Sequence, residues 1–182
     1  MIVVGIDIGL TGAVAAVGSR NAVVSDMPTM PEGKPRQRVS KKTGKKTTVQ
    51  PRRIDGRALL LLIRESVPIG EAALLAFEDV SARAAGNGGA DGDTSNSMRS
   101  QGSMMQSKGI VQAVGDITRL EVMAVQPQAW KRHFGLLKAD KGASLKLARE
   151  LFPERAHELQ RVKDHNRAEA LLIAHYARDK HV

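Results

Sequence analysis

The stretch "VVGIDIG", residues 3–9, constrains this chain more than any other. Val3, Val4, Ile6 and Ile8 read as a strand buried on both faces, yet Asp7 stands inside it. An unpaired carboxylate in such a place costs several kcal/mol or is forced to hold a proton. The strand therefore needs a partner for Asp7, supplied by a cation or by other polar groups gathered beside it.

Residues 2–8, 12–18 and 21–26 are short and valine-rich, and "GLTG" and "GSRN" between them have hairpin-turn chemistry, so three adjacent antiparallel strands are expected. "DGRALLLLIRESV" from Asp55 pairs an N-cap aspartate with helical spacing of leucines. "AALLAFEDV" from Ala72 is another apolar strand, ending in acids, and the glycine-rich residues 85–103 are expected to form a flexible loop. A helix follows from about Ser103 to Thr118, with Met104, Met105, Val111 and Val114 as core contacts. "LEVMAVQP" is a strand stopped by Pro127, and helices are expected at Pro127–Phe134, Lys141–Leu151 and Arg167–Arg178. This order predicts an α/β chain with a mixed five-stranded sheet, three antiparallel N-terminal strands and two further ones, flanked by helices. With 182 residues, 42% of them apolar, one domain is expected.

Charge is concentrated in one place. Lys34–Arg53 holds nine of the 28 basic residues and no acid, so outside it basic and acidic residues balance at 19 each. Such a block reads as a solvated arm whose partners are nucleic acid or an anionic membrane. The absence of cysteine removes disulfides and thiolate metal sites. The apolar N-terminus lacks a basic flank and contains Asp7, which argues for strands rather than a signal peptide, and no apolar run reaches membrane-spanning length.

Glu78 lies near the carboxyl end of "LLAFEDV". If that strand neighbours the first, Glu78 and Asp7 lie side by side, and their repulsion is relieved by a divalent ion. Oxygen ligands favour magnesium or manganese over zinc, and the scattered histidines have no ligand spacing. In "VKDHNRAEALLIAHYA", Asp164 and Glu169 read either as a helix N-cap with a first-turn acid or, taken with Asp7 and Glu78, as part of a metal site.

Taken in order, "VVGIDIGLTGAVAAV", "LLAFEDV" and "RAEALLIAHYA" resemble the RuvC family of Holliday-junction resolvases, particularly its phage-type members. The resemblance implies an RNase H-like fold and a homodimeric endonuclease that cuts four-way DNA junctions by symmetrical nicks. It also implies a role in DNA recombination and repair, in a bacterial cytoplasm, encoded by the cell or by a phage. The family's acids match Asp7, Glu78 and Glu169. Its fourth ligand stands three residues before the last of these, where this chain has Asn166, preceded by His165 and Asp164. Asp164 is the expected ligand because a carboxylate neutralises the ions better, with His165 or Asn166 competing. Two Mg2+ or Mn2+ ions about 4 Å apart would then activate water on one side of the scissile phosphate and stabilise the leaving 3′ oxygen on the other.

Lys131 and Lys141 match positions of DNA-contacting lysines in the family. In the arm, Lys41, Lys42, Lys45, Lys46, Arg52 and Arg53 are expected to meet phosphates, as a basic hairpin around "KKTGKKT" lying along a junction arm. Arg83, Arg99 or Met98 would probe the junction centre. Aromatic residues are only 3% of the chain, so duplex arms are a better target than stacked single strands. The face carrying Met104, Met105, Ile110, Val111 and Val114 is a candidate dimer interface, with Gly109 allowing close approach. Two alternatives remain: an RNase H-type nuclease acting on RNA or RNA–DNA hybrids, and a non-catalytic architectural DNA-binding protein.

Overall fold

The computed structural model describes residues 1–19, 21–40, 43–80 and 98–181. Lys41, Lys42, Arg83 and most of the glycine-rich stretch lie outside them. In chain order the elements are β1 (Ile2–Asp7), β2 (Ala13–Val17), β3 (Ala22–Asp26), β4 (Thr29–Pro31), β5 (Arg36–Val39), β6 (Lys46–Val49), β7 (Arg52–Ile54) and α1 (Gly56–Ser66). They continue with β8 (Ala73–Glu78), α2 (Met98–Thr118), β9 (Glu121–Val125), α3 (Pro127–His133), α4 (Lys141–Leu151) and α5 (His165–His181), with 3-10 turns at Pro153–Glu158 and Val162–Asp164.

The main sheet has the order β3-β2-β1-β8-β9. β1, β2 and β3 pair antiparallel, while β8 runs parallel to β1 and β9 parallel to β8. Both faces are covered, which explains the continuous apolar strands. Val3, Leu74 and Ala76 point toward Trp130 and toward Leu171 and Ala174 of α5. Val4, Ile6, Leu75 and Phe77 point the other way, toward Leu59 and Ile63 of α1 and Val111 and Val114 of α2. Asp55 caps α1 as expected, its side chain accepting from the Ala58 N–H at 3.0 Å.

Two expectations need correction. Val111 and Val114 of α2 are buried against this chain's own sheet and are core rather than interface, while Met104 and Ile110 pack beside them only partly buried. α2 also starts at Met98, ahead of the expected Ser103: Gly102 faces open space, and its glycine character marks no break.

The basic arm is ordered as two ladders. β4 pairs with β7 as a stem, and β5 pairs with β6 as a ribbon beyond it. Among the described residues, no helix is long and apolar enough to cross a membrane.

Candidate active site

Register and side-chain parity bring the acids together. In the β1–β8 ladder Ile6 stands opposite Phe77, so the next pair along is Asp7 and Glu78. Alternation along each strand puts both on the α5 side of the sheet. α5 reaches that side because residue 5 is glycine: a Cβ there would lie 2.3 Å from the Ala170 carbonyl oxygen and 2.5 Å from the Ala174 nitrogen. Backbone thus meets backbone, and Glu169, next to Ala170, is drawn toward Asp7. Gly12 does the same for the β1–β2 turn, where a Cβ would sit 2.0 Å from the Asp7 carbonyl oxygen.

The electrostatics follow from this crowding. The Asp7 carboxyl is pushed up to about 7, first by burial and then by the negative charges of Glu169 and Glu78. The Gly9 N–H, 3.4 Å from Asp7 Oδ1, and the Lys131 ammonium pull the other way without offsetting them. Trp130 is fully buried and donates its indole N–H to Glu78 Oε1 at 3.1 Å. Lys131 stands over the same ring, 5.0 Å from its centroid. The Trp130–Glu78 bond has no signature in the sequence, since the partners lie 52 residues apart.

The three residues before α5's second turn behave differently from one another. Asp164 is buried, and both its carboxylate oxygens are held by Arg161: Oδ2 by the backbone N–H at 2.8 Å and Oδ1 by the guanidinium at 2.7 Å. This reciprocal cap closes the 3-10 turn that leads into α5 and holds the Asp164 carboxyl below its usual range. His165 turns Nδ1 to the Val162 carbonyl at 3.0 Å, and Asn166 donates its amide to the Thr11 carbonyl. Asn166 lies one turn before Glu169, on the same helix face. Asp164→Asn is therefore expected to cost about 1.5–3 kcal/mol of stability, the range of a hydrogen bond to a charged group, with Mn2+ affinity unchanged. Urea denaturation and calorimetry check the two halves. Because this carboxyl is depressed, the stability it contributes is present above its unfolded pKa and lost as pH falls through the acidic range.

A metal suits the donor set, since Asp7, Glu78 and Glu169 offer hard carboxylate oxygens. Among the described residues, no group of three or more Asp, Glu, His or Cys side chains is arranged to hold an ion as it stands. Unscreened carboxylates repel one another, so closing of their side chains around a cation is the expected response.

The remaining sequence-derived residues are spread around this centre. Lys45 and Lys46 are exposed at the ribbon. Arg52 donates to the hydroxyl and carbonyl oxygens of Thr29 at 2.8 and 2.7 Å, bracing the stem, and Arg53 donates to the neighbouring Ile54 carbonyl at 3.4 Å. Lys141 opens α4 and Arg99 lies in the first turn of α2. His133 and His175 both approach Asp179, at 3.3 and 3.8 Å.

The sequence matches no family model and no curated protein. Its backbone is nevertheless similar to solved structures of Thermus thermophilus RuvC. One shares 18% identity with a TM-score of 0.52, covering 99% of this chain and 97% of that one. Another, T. thermophilus RuvC in complex with a Holliday junction substrate, shares 16% identity with a TM-score of 0.56, covering 98% and 96%. The similarity runs through nearly the whole of both chains: this chain has a RuvC-like, RNase H-like fold.

Proposed function

We propose that this chain is a metal-dependent endonuclease that resolves four-way DNA junctions, with Asp7, Glu78 and Glu169 as its metal-holding carboxylates. The observation that carries this reading is the proton affinity of Asp7, raised to about 7 by burial and by the other two acids. Carboxyls perturbed by burial together with neighbouring acids cluster at functional sites. The RuvC complex with a Holliday junction substrate supplies the substrate class.

Divalent ions bound there would polarise the scissile phosphate and lower the pKa of an attacking water. The chain's own residues prepare the place. Asp7 is fixed by the strand and by the tight Gly9–Gly12 turn, Glu78 is oriented by the Trp130 indole, and Glu169 is set by α5. Asn166 Oδ1 is the additional oxygen nearest in register, and Lys131 adds positive charge for the phosphate backbone. Paired nicks need two such sites, so the working species is a homodimer, and light scattering on the junction complex checks it.

End-labelled four-way junction, linear duplex and RNA–DNA hybrid, each incubated with Mg2+, test the reading. Symmetrical nicks in the junction are expected. Cleavage of the hybrid alone, or no cleavage, contradicts it. Trp130→Phe keeps the buried ring but removes its N–H, and is expected to weaken Mn2+ binding by about ten-fold or more, as losses of groups that orient metal ligands do. Calorimetry measures that loss, and a folded protein with unchanged Mn2+ affinity contradicts the role given to the indole.

A further inference from the structure

The β5–β6 ribbon is the largest feature left without a task. It pairs with nothing but itself, its residues are almost all exposed, and a two-stranded ribbon alone is marginally stable in water. Its base, by contrast, is well fixed. Gln50 donates to the Gly33 carbonyl at 3.1 Å and the Pro51 carbonyl at 3.2 Å, and Gln106 of α2 donates to Glu32 at 2.8 Å. A polar ribbon held out on a braced stem is built to meet something outside the protein.

The register sorts its residues onto two faces. Arg36 opposes Val49 and Arg38 opposes Thr47, so both arginines share one face, about 7 Å apart along the strand. Gln37, Thr48, Val39 and Lys46 occupy the other, where Gln37 and Thr48 bond each other at 3.0 Å. Among the described residues, Arg36, Arg38, Lys45 and Lys46 make no ion pair with an acid.

The arginine face opens on a cleft of about 530 Å³, whose walls include Arg36, Val49, Ser103, Gln106 and Thr11. A second cleft of about 440 Å³ shares Leu10 and Thr11 with it and continues to Asn166, Lys163 and Arg161. Leu10 and Thr11, in the β1–β2 turn, are common to both clefts. Arg36 and Arg52 line the first beside Glu32, and Arg161 and Lys163 the second beside Asp26 and Asp164. The ribbon carries no aromatic side chain, which removes base stacking, whereas a two-stranded β-ribbon has the width of the DNA major groove.

We propose that the β5–β6 ribbon grips a duplex arm of the junction, with its Arg36 and Arg38 face against that arm. This rests on the junction-nuclease reading and adds which element holds a duplex arm and by which face. Charge alone, read from the sequence, made the whole segment a phosphate binder. The structure ties Arg52 to Thr29 at the stem and leaves Arg36 and Arg38 exposed on one face of the ribbon.

The test is DNA binding in EDTA, so that cleavage plays no part. Fluorescence anisotropy compares the wild type, Arg36→Gln/Arg38→Gln and, as an equal-charge control, Arg57→Gln/Arg64→Gln on α1. The probes are four-way junctions with long arms and with arms cut to a few base pairs, measured across a salt series. The ribbon variant is expected to lose about ten-fold or more in affinity for the long-arm junction. Its log–log salt slope should fall by about 2, near the 0.9 per lost phosphate contact. The control should stay close to wild type, and the short-arm junction should erase the difference. If the wild type binds and the ribbon variant matches it, or the loss persists on short arms, the clamp is overturned while the nuclease reading stands. If the wild type binds no DNA, the nuclease reading falls and the clamp with it.

Discussion

Asp7→Asn is expected to abolish Mg2+-dependent cleavage while making the metal-free protein more stable at neutral pH. Cleavage should fall by roughly 10³-fold, the scale of losing one electrostatic stabiliser of a transition state, with junction binding preserved or tightened. The gain in stability has a definite sign. Asp7 titrates at about 7 in the folded chain against 3.8 for the model carboxyl, so the folded state binds its proton more tightly. Stability linked to that proton is complete below pH 4 and is lost as pH rises toward 7. The loss is at most about 4 kcal/mol, from the conversion of pKa shift to free energy. Asparagine removes it, so melting temperature at pH 8 should rise in the variant, and the wild type's decline between pH 4 and 7 should flatten. Divalent ions should raise the melting temperature of the wild type only. A variant that is less stable than wild type at pH 8, or that still cuts strongly, counts against placing Asp7 at the centre.

Gly5→Ala is the second large effect. The added methyl would start 2.3 Å from a carbonyl oxygen and 2.5 Å from an amide nitrogen of α5, and neither can move without shifting the helix. Overpacking in a core costs typically 1–3 kcal/mol and more where backbone must give way, so about 3 kcal/mol or more is expected. The displaced helix would carry Glu169 away from Asp7. Urea denaturation should record the loss, and the surviving folded protein should bind Mn2+ more weakly than wild type. Equal stability would mean that β1 and α5 are not in backbone contact.

Much of this was legible in the residues. Asp7 announced itself because an acid inside an apolar strand needs compensation, and Glu78 because it ends another such strand. The sheet followed from hairpin turns and from strands alternating with helices. What escaped was contact between distant positions. Gly5 carries a weak signal, since glycine inside a strand marks a bulge or a close backbone approach, but not which backbone approaches. The bond from Trp130 to Glu78 and the seating of Asn166 on Thr11 depend on tertiary packing across 52 and 155 residues. The stem strands around Met30 and Arg53 are three residues each, too short for a period to register. Asp164 was legible twice, as a cap and as a ligand. The geometry favours the cap, because Arg161 at three residues' distance takes its carboxylate.

The central claim is that the oxygens of Asp7, Glu78 and Glu169 gather divalent ions. Anomalous diffraction from crystals grown with Mn2+ at pH 8 tests it most directly. Strong peaks are expected between these three side chains in the wild type and none there in Asp7→Asn. A wild-type map without anomalous signal at that place, in crystals whose carboxylates are free of lattice contacts, would contradict the claim.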